Sequence, residues 1–169
     1  MAILKIVYLP DHRLRARSSD VTEFDTALQQ LIDDMFDTMY DARGVGLAAP
    51  QVGINKRLSV IDVTEDKSQP LVLINPEITQ RHGETIFDEG CLSLPGSYDK
   101  VKRSTYVTVR ALDRDGKSYE LSADGLLAEC IQHEIDHLNG VLFIDLLSPL
   151  KRDRARKKLE KYLRSMEKK

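Results

Sequence analysis

Two histidines four residues apart, His133 and His137, bracket an acid at Glu134 in the stretch Gln132-His133-Glu134-Ile135-Asp136-His137-Leu138-Asn139-Gly140. On a helix, residues four apart share a face, so both imidazoles can aim at one metal ion while Glu134, about 100° further round, flanks it. Neutral imidazole suits zinc or ferrous iron, and a carboxylate next in sequence can take a proton from a metal-activated water. The same pattern also arises by chance in helices whose histidines are core or surface residues. Here the helix reading has independent support: Leu126, Leu127, Cys130, Ile131 and Leu138 supply apolar sides and Gly140 a C-terminal stop, which places the site in a buried setting.

Two histidines need a third protein ligand. Downstream lie only Glu160 and Glu167, both in a charged tail, so the third ligand is expected upstream. The chain has two cysteines. Cys91 sits in Glu89-Gly90-Cys91-Leu92-Ser93 between strand-like runs; Cys130, one turn before His133, reads as a small core hydrophobe. A free cysteine in a strand is the alternative reading of Cys91.

Glu89-Gly90-Cys91-Leu92-Ser93, Gln132-His133-Glu134-Ile135-Asp136-His137-Leu138 and the earlier Gly44-Val45-Gly46-Leu47-Ala48-Ala49-Pro50-Gln51 together resemble the three motifs of bacterial peptide deformylases, in order and spacing. The resemblance covers nearly the whole chain and is to the Gram-negative-like type with a C-terminal helix. It implies Cys91, His133 and His137 as metal ligands with a fourth position open for water, and Fe(II) as the physiological ion, with Zn(II), Ni(II) or Co(II) as replacements. It implies removal of the N-terminal formyl group from nascent polypeptides with release of formate, Glu134 serving as general base and acid. Gln51 and the backbone N–H of Leu92 are the implied oxyanion donors.

By position in the same resemblance, Val45, Phe87, Leu126, His133 and residue 129 line an apolar pocket for the methionine side chain, with Gly46, Glu89 and Gly90 beside the substrate. Tyr98, after Pro95-Gly96-Ser97, is expected to touch the peptide beyond methionine. Residue 129 departs from the pattern, being Glu where an apolar residue is common. Glu129 is expected at the pocket rim with its carboxylate in water; pairing with a nearby base and extra metal ligation are the alternatives. Glu89 and Arg103 are expected to form an ion pair that holds the Cys91 strand, against a reading as unrelated surface charges. Asp136 is either a further anchor or simply solvated.

A chain of 169 residues with 41% hydrophobic content is enough for one well-cored domain, expected over residues 1–150 with residues 151–169 as a basic helix extending it. Two cysteines and no signal-like start argue against a disulfide scaffold and for a cytoplasmic protein, and no apolar run approaches membrane-spanning length. Ile3 to Leu9 reads as a short strand or extended arm stopped by Pro10. Leu28, Leu31, Ile32, Met35, Phe36 and Met39 recur at helical spacing between Asp25 and Asp41, a core-facing stripe rather than a cofactor box. Gly44 to Gln51 lacks the Lys-Ser/Thr of a phosphate-binding loop; small residues there let backbone approach something closely. Strands are expected over 57–63, 71–75, 85–88, 101–112 and 117–122, with Asp113-Arg114-Asp115-Gly116 as a hairpin turn. The fold is therefore α+β, antiparallel sheets packed around the metal-site helix, as the resemblance also implies.

The tail from Lys151 to Lys169 holds ten Lys or Arg and three Asp or Glu, a net +7 that leaves −9 on residues 1–150 when taken from the formal −2. Leu159, Tyr162, Leu163 and Met166 form a stripe expected to pack on the domain while the basic faces stay wet. The resemblance implies docking of this helix on the ribosome near the exit tunnel, which suits a polyanionic surface. Residues from Lys151 onward are thus expected to be dispensable for hydrolysis of a short peptide by a monomer. Two rivals stand beside this reading: a general metallopeptidase, which leaves Cys91 and Gln51 without a role, and a non-enzymatic ribosome-binding protein with a structural metal, which would want four protein ligands.

Overall fold

Alternating burial along the strands and one-sided burial along the helices build two sheets around a single buried helix. The computed structural model describes residues 2–167. Three helices, α1 (Thr26–Asp41), α2 (Gly125–Leu138) and α3 (Pro149–Glu167), accompany strands β1 (Gly46–Ala48), β2 (Leu58–Ile61), β3 (Leu71–His82), β4 (Thr85–Cys91), β5 (Leu94–Arg103), β6 (Tyr106–Leu112) and β7 (Ser118–Asp124). Five strands form one antiparallel sheet in the order β1-β2-β3-β6-β7, and β4 pairs with β5 as a separate antiparallel ribbon.

The apolar stripe of α1 buries Leu28, Ile32, Met35 and Met39 against Leu47, Leu58, Val60 and Ile74 of β1 to β3. Asp25 starts this helix by accepting the N–H of Leu28. On β6, Val107, Val109 and Ala111 point into a second cluster with Ala128, Ile131 and Ile135 of α2, while Arg110 stays in water. That packing makes α2 the inner helix: ten of its residues are buried, charged ones included.

Several expectations differ from the fold. The run 101–112 is not one strand; it breaks after Arg103 because its first part pairs with β4 and its second with β3, so one apolar stretch serves two sheets. The strand expected to end at Asn75 continues to His82, its Pro76 accommodated by a register shift between Ile74 and Glu77 and by the left-handed backbone of Asn75. Part of the glycine-rich stretch is strand β1, paired with β2. Ile3 to Leu9 forms no strand; it lies as an extended arm whose Val7 and Leu9 N–H groups reach the carbonyls of Gln51 and Ser93.

The C-terminal helix is built in more firmly than its charge suggests. Ala155 and Leu159 are buried in one cluster with Leu9, Leu94, Val101 and Phe143, and Lys151 Nζ lies 3.5 Å from Asp99 of β5. Tyr162 and Met166 depart from the expected stripe, both remaining exposed. Lys168 and Lys169 lie outside the described residues.

Candidate active site

The three suspected ligands converge. His133 Nε2 and His137 Nε2 are 3.0 Å apart, Cys91 Sγ is 3.2 Å from His137 Nε2, and the three donor atoms all lie within 4.8 Å of one another. Helix α2 supplies both imidazoles from one face; the end of β4 supplies the thiol. Asn139 closes the helix, and Gly140 follows with a positive φ of 76° at a point where a Cβ would overlap the Arg15 carbonyl.

The surroundings fix which ring nitrogen faces the cluster. Glu89 Oε1 lies 2.6 Å from His133 Nδ1, so the ionised carboxylate accepts the Nδ1–H hydrogen bond and Nε2 is the ring atom turned toward His137 and the donor cluster. Arg103 grips the same carboxylate through Nη2 at 2.6 Å and Nε at 2.9 Å, and its Nη1 reaches Asp136 at 2.6 Å. The Glu89 and Arg103 side chains are 4% and 5% exposed, which rules out the reading as unrelated surface charges. Burial by itself would raise the Glu89 carboxyl, but the hydrogen bonds of Arg103 and His133 outweigh it and hold the group at about 2. Asp136 is an anchor of this network.

The two rings differ in how readily they take a proton. Burial opposes charging His133, yet hydrogen bonds to Cys91 and Glu89 raise it well above the imidazole range; burial and the neighbouring His133 hold His137 well below. Two imidazole nitrogens and a thiol sulfur within 4.8 Å of one another form a donor set that fits a divalent metal ion of borderline softness.

Glu134, 3% exposed, stands against the strand that carries Gly46. A Cβ at Gly46 would overlap Glu134 Oε2, so the missing side chain is what admits the carboxylate. Its Oε1 is buried without a hydrogen-bond partner among the described residues, and burial pushes its carboxyl up to about 7, the range of a general base at neutral pH. Gln51, 1% exposed on the turn Ala49–Val52, accepts the Ala48 N–H at its Oε1. That contact aims the Nε2 donor toward Ser93 Oγ at 3.2 Å and Cys91 Sγ at 3.5 Å. Ser93 joins the site without any chemical signal of its own in the sequence, beyond closing the cysteine motif.

A cavity of about 490 Å³ opens onto these groups. Gln51, Cys91, Leu92, His133 and Glu134 form its chemical end; Val45, Gly46, Gly90 and Leu126 line it as expected positions, as do Glu89, Tyr98 and Glu129. One placement differs from expectation. Phe87 is not among the lining residues: it shares the β4 face of Glu89 and Cys91 but sits four residues, roughly 13 Å, before the thiol. Glu89 lines the cavity with both its oxygens engaged by Arg103 and His133.

Glu129 is not at a wet rim. It is 7% exposed inside the cavity, belongs to no ion pair among the described residues and lies outside the three-donor cluster. Its position on the inner helix is the cause, and burial, followed by the Glu89 charge, pushes its carboxyl up to about 7. Arg43, Pro95, Cys130 and Tyr162 also line the cavity. Cys130 remains a buried core thiol, raised by burial. Nothing in the local pattern around Tyr162 marks it as a cavity residue.

Residues 3–153 match the family model described as Polypeptide deformylase. A peptide deformylase of Chromobacterium violaceum is 57% identical over 161 residues, covering 95% of this chain and 96% of the relative. One of Hamiltonella defensa is 54% identical over 169 residues, covering 100% and 99%. Among solved structures, a peptide deformylase from Legionella pneumophila superposes with a TM-score of 0.97 at 62% identity, covering 99% of each chain. The structure of a Synechococcus elongatus peptide deformylase in complex with actinonin gives 0.88 at 51% identity, covering 92% of this chain and 86% of that one.

Proposed function

The chain belongs to the polypeptide deformylase family, and on that premise we propose how its own residues carry the reaction and where in the cell it runs. It is an enzyme that hydrolyses the N-terminal formyl amide of nascent polypeptides. The observation that carries the residue assignment is the convergence of Cys91, His133 and His137, with Glu134, whose Oε1 has no hydrogen-bond partner among the described residues, on the same cavity as Cys91 and His133.

Cys91 Sγ and the Nε2 atoms of His133 and His137 would hold the metal ion; two neutral imidazoles and a thiolate leave a divalent ion with a net single positive charge. When bound, it supplies Lewis-acid activation of water and of the formyl carbonyl. Fe(II) is our assignment for the cell, and the same donors accept Zn(II), Ni(II) or Co(II). Glu134 takes the proton of the water that adds to the formyl carbon, then gives it to the amine nitrogen as the C–N bond breaks and formate leaves. Gln51 Nε2 and the backbone N–H of Leu92 stabilise the oxygen that gains charge in between. Glu89, gripped by Arg103, keeps His133 in the tautomer that leaves Nε2 free. Val45, Leu126 and the stem of Glu129 receive the methionine side chain, with Gly46 and Gly90 beside the peptide.

Residues 1–150 form one catalytic domain, and 151–169 a basic extension through which a monomer meets the ribosome near the exit tunnel in the cytoplasm. The exposed Lys and Arg side chains along α3 support this reading. Among the described residues, no helix is long and apolar enough to cross a membrane.

Formyl-Met-Ala-Ser given to metal-loaded protein tests the assignment. Release of formate, with Met-Ala-Ser left intact, is the expected result. Cleavage of the Met-Ala bond instead would make the protein a general metallopeptidase.

A further inference from the structure

The cleft extends past what a formyl group and one thioether side chain fill. Its lining includes Pro95, Gly96 and Tyr98 of β5 together with Tyr162 from α3, an element with no part in the chemistry. Tyr98 is 73% exposed, its ring lying where a Cβ on Gly90 would overlap it. Tyr162 is 39% exposed, although its neighbours on the helix do the packing: Leu159, one turn before it, is buried and Leu163, next in sequence, partly so. A tyrosine needed only to seat the helix would lie with Leu159 in the core.

Its position is nevertheless fixed. Ala155 and Leu159 share a buried cluster with Leu94 and Val101 of β5, and Lys151 pairs with Asp99 of the same strand. Helix α3 therefore presents Tyr162 in a set relation to the strand that carries Tyr98. Two phenol rings on one open cleft offer rigid apolar area at low entropic cost, the property that makes tyrosine frequent in recognition surfaces.

We infer that Tyr162 is a specificity-determining residue of the deformylation: with Tyr98 it forms an aromatic wall for the third side chain of the formylated peptide and favours flat, apolar ones. This rests on the formyl-peptide reading above. It also makes α3 part of the substrate site, so the element that carries the basic faces bears one wall of the cleft.

The test compares formyl-Met-Ala-Phe with formyl-Met-Ala-Ser on the full-length metal-loaded protein. The parent prefers the Phe peptide through a lower KM. Tyr162→Ala lowers that preference about three- to tenfold, Tyr162→Phe keeps most of it, and Lys161→Ala, on the exposed face beside it, does not alter it. A parent indifferent to the third residue, or a Tyr162→Ala protein that keeps the preference or loses activity on both peptides alike with a lower melting temperature, overturns the inference. A second measurement does not depend on turnover: the chain has no tryptophan, so Tyr162→Trp places a single reporter in the wall. Its emission should change on adding Met-Ala-Phe and not on adding methionine; no change with the tripeptide rejects the aromatic wall. If the parent releases formate from neither peptide, the deformylation reading itself has failed, which is a different outcome from lost preference.

Discussion

At the scale of single residues, the site works by what its side chains are prevented from doing. Glu89 sits beside His133 with both oxygens occupied, and Arg103 is the reason a buried carboxylate stays charged there. Because its pKa falls from the ordinary 4.5 to about 2 on folding, its contribution to stability is fully present above pH 4.5 and is lost as the pH drops through about 2. In Arg103→Met the buried carboxylate has no guanidinium partner, so the protein should lose about 3–5 kcal/mol of stability and unfold at a higher pH in acid, followed by circular dichroism. Metal affinity should fall about 10- to 100-fold as well, since His133 is no longer held. Glu129 makes the opposite case. With its carboxyl at about 7, it is neutral below that pH and charged above it, so the KM for formyl-Met peptides should rise between roughly pH 6 and 8. Glu129→Ile should lower KM and flatten that dependence without changing metal content; loss of metal would mean that the carboxylate is a ligand after all.

At the scale of elements, what is legible in the sequence is what local pattern encodes. Helix α2 is readable because its apolar sides, its His pair and Gly140 all lie within one short stretch. The break in 101–112 is not, because only Ser104 and Thr105 separate the two strands, with no Gly, Pro, Asn or Asp to mark a turn, and what differs is the partner strand. Motif position puts Phe87 in the pocket but says nothing of distance along a strand; Tyr162 escapes sequence reading because its position depends on how α3 packs against β5, an interaction between distant parts of the chain. The same packing gives the helix from Lys151 a structural part that its charge alone does not suggest. Leu159 is 3% exposed in a cluster with Leu94, which follows the cysteine motif. Leu159→Ala should cost about 2–5 kcal/mol in urea unfolding, whereas a helix merely appended to the surface would show almost no change.

At the scale of the whole molecule, a −9 body carries a +7 tail. The basic side chains of α3 need no ion pair to explain them, but their concentration on one exposed element suits a phosphate-rich partner. Reversing Arg154, Lys157, Lys161 and Arg164 to Glu should weaken cosedimentation with ribosomes and flatten its dependence on salt, by about 0.9 in log–log slope for each phosphate no longer neutralised. Hydrolysis of formyl-Met-Ala-Ser should keep its kcat. Undiminished ribosome binding would place the docking surface elsewhere.

The most direct measurement is formate release by Glu134→Gln beside the parent, both anaerobically loaded with Fe(II) and matched for metal content and melting temperature. A fall in kcat of about 10²- to 10⁴-fold with the metal still bound is the result expected if Glu134 moves the proton. Formate released at the parent's rate by a fully loaded variant would contradict the assignment and require another base for the reaction.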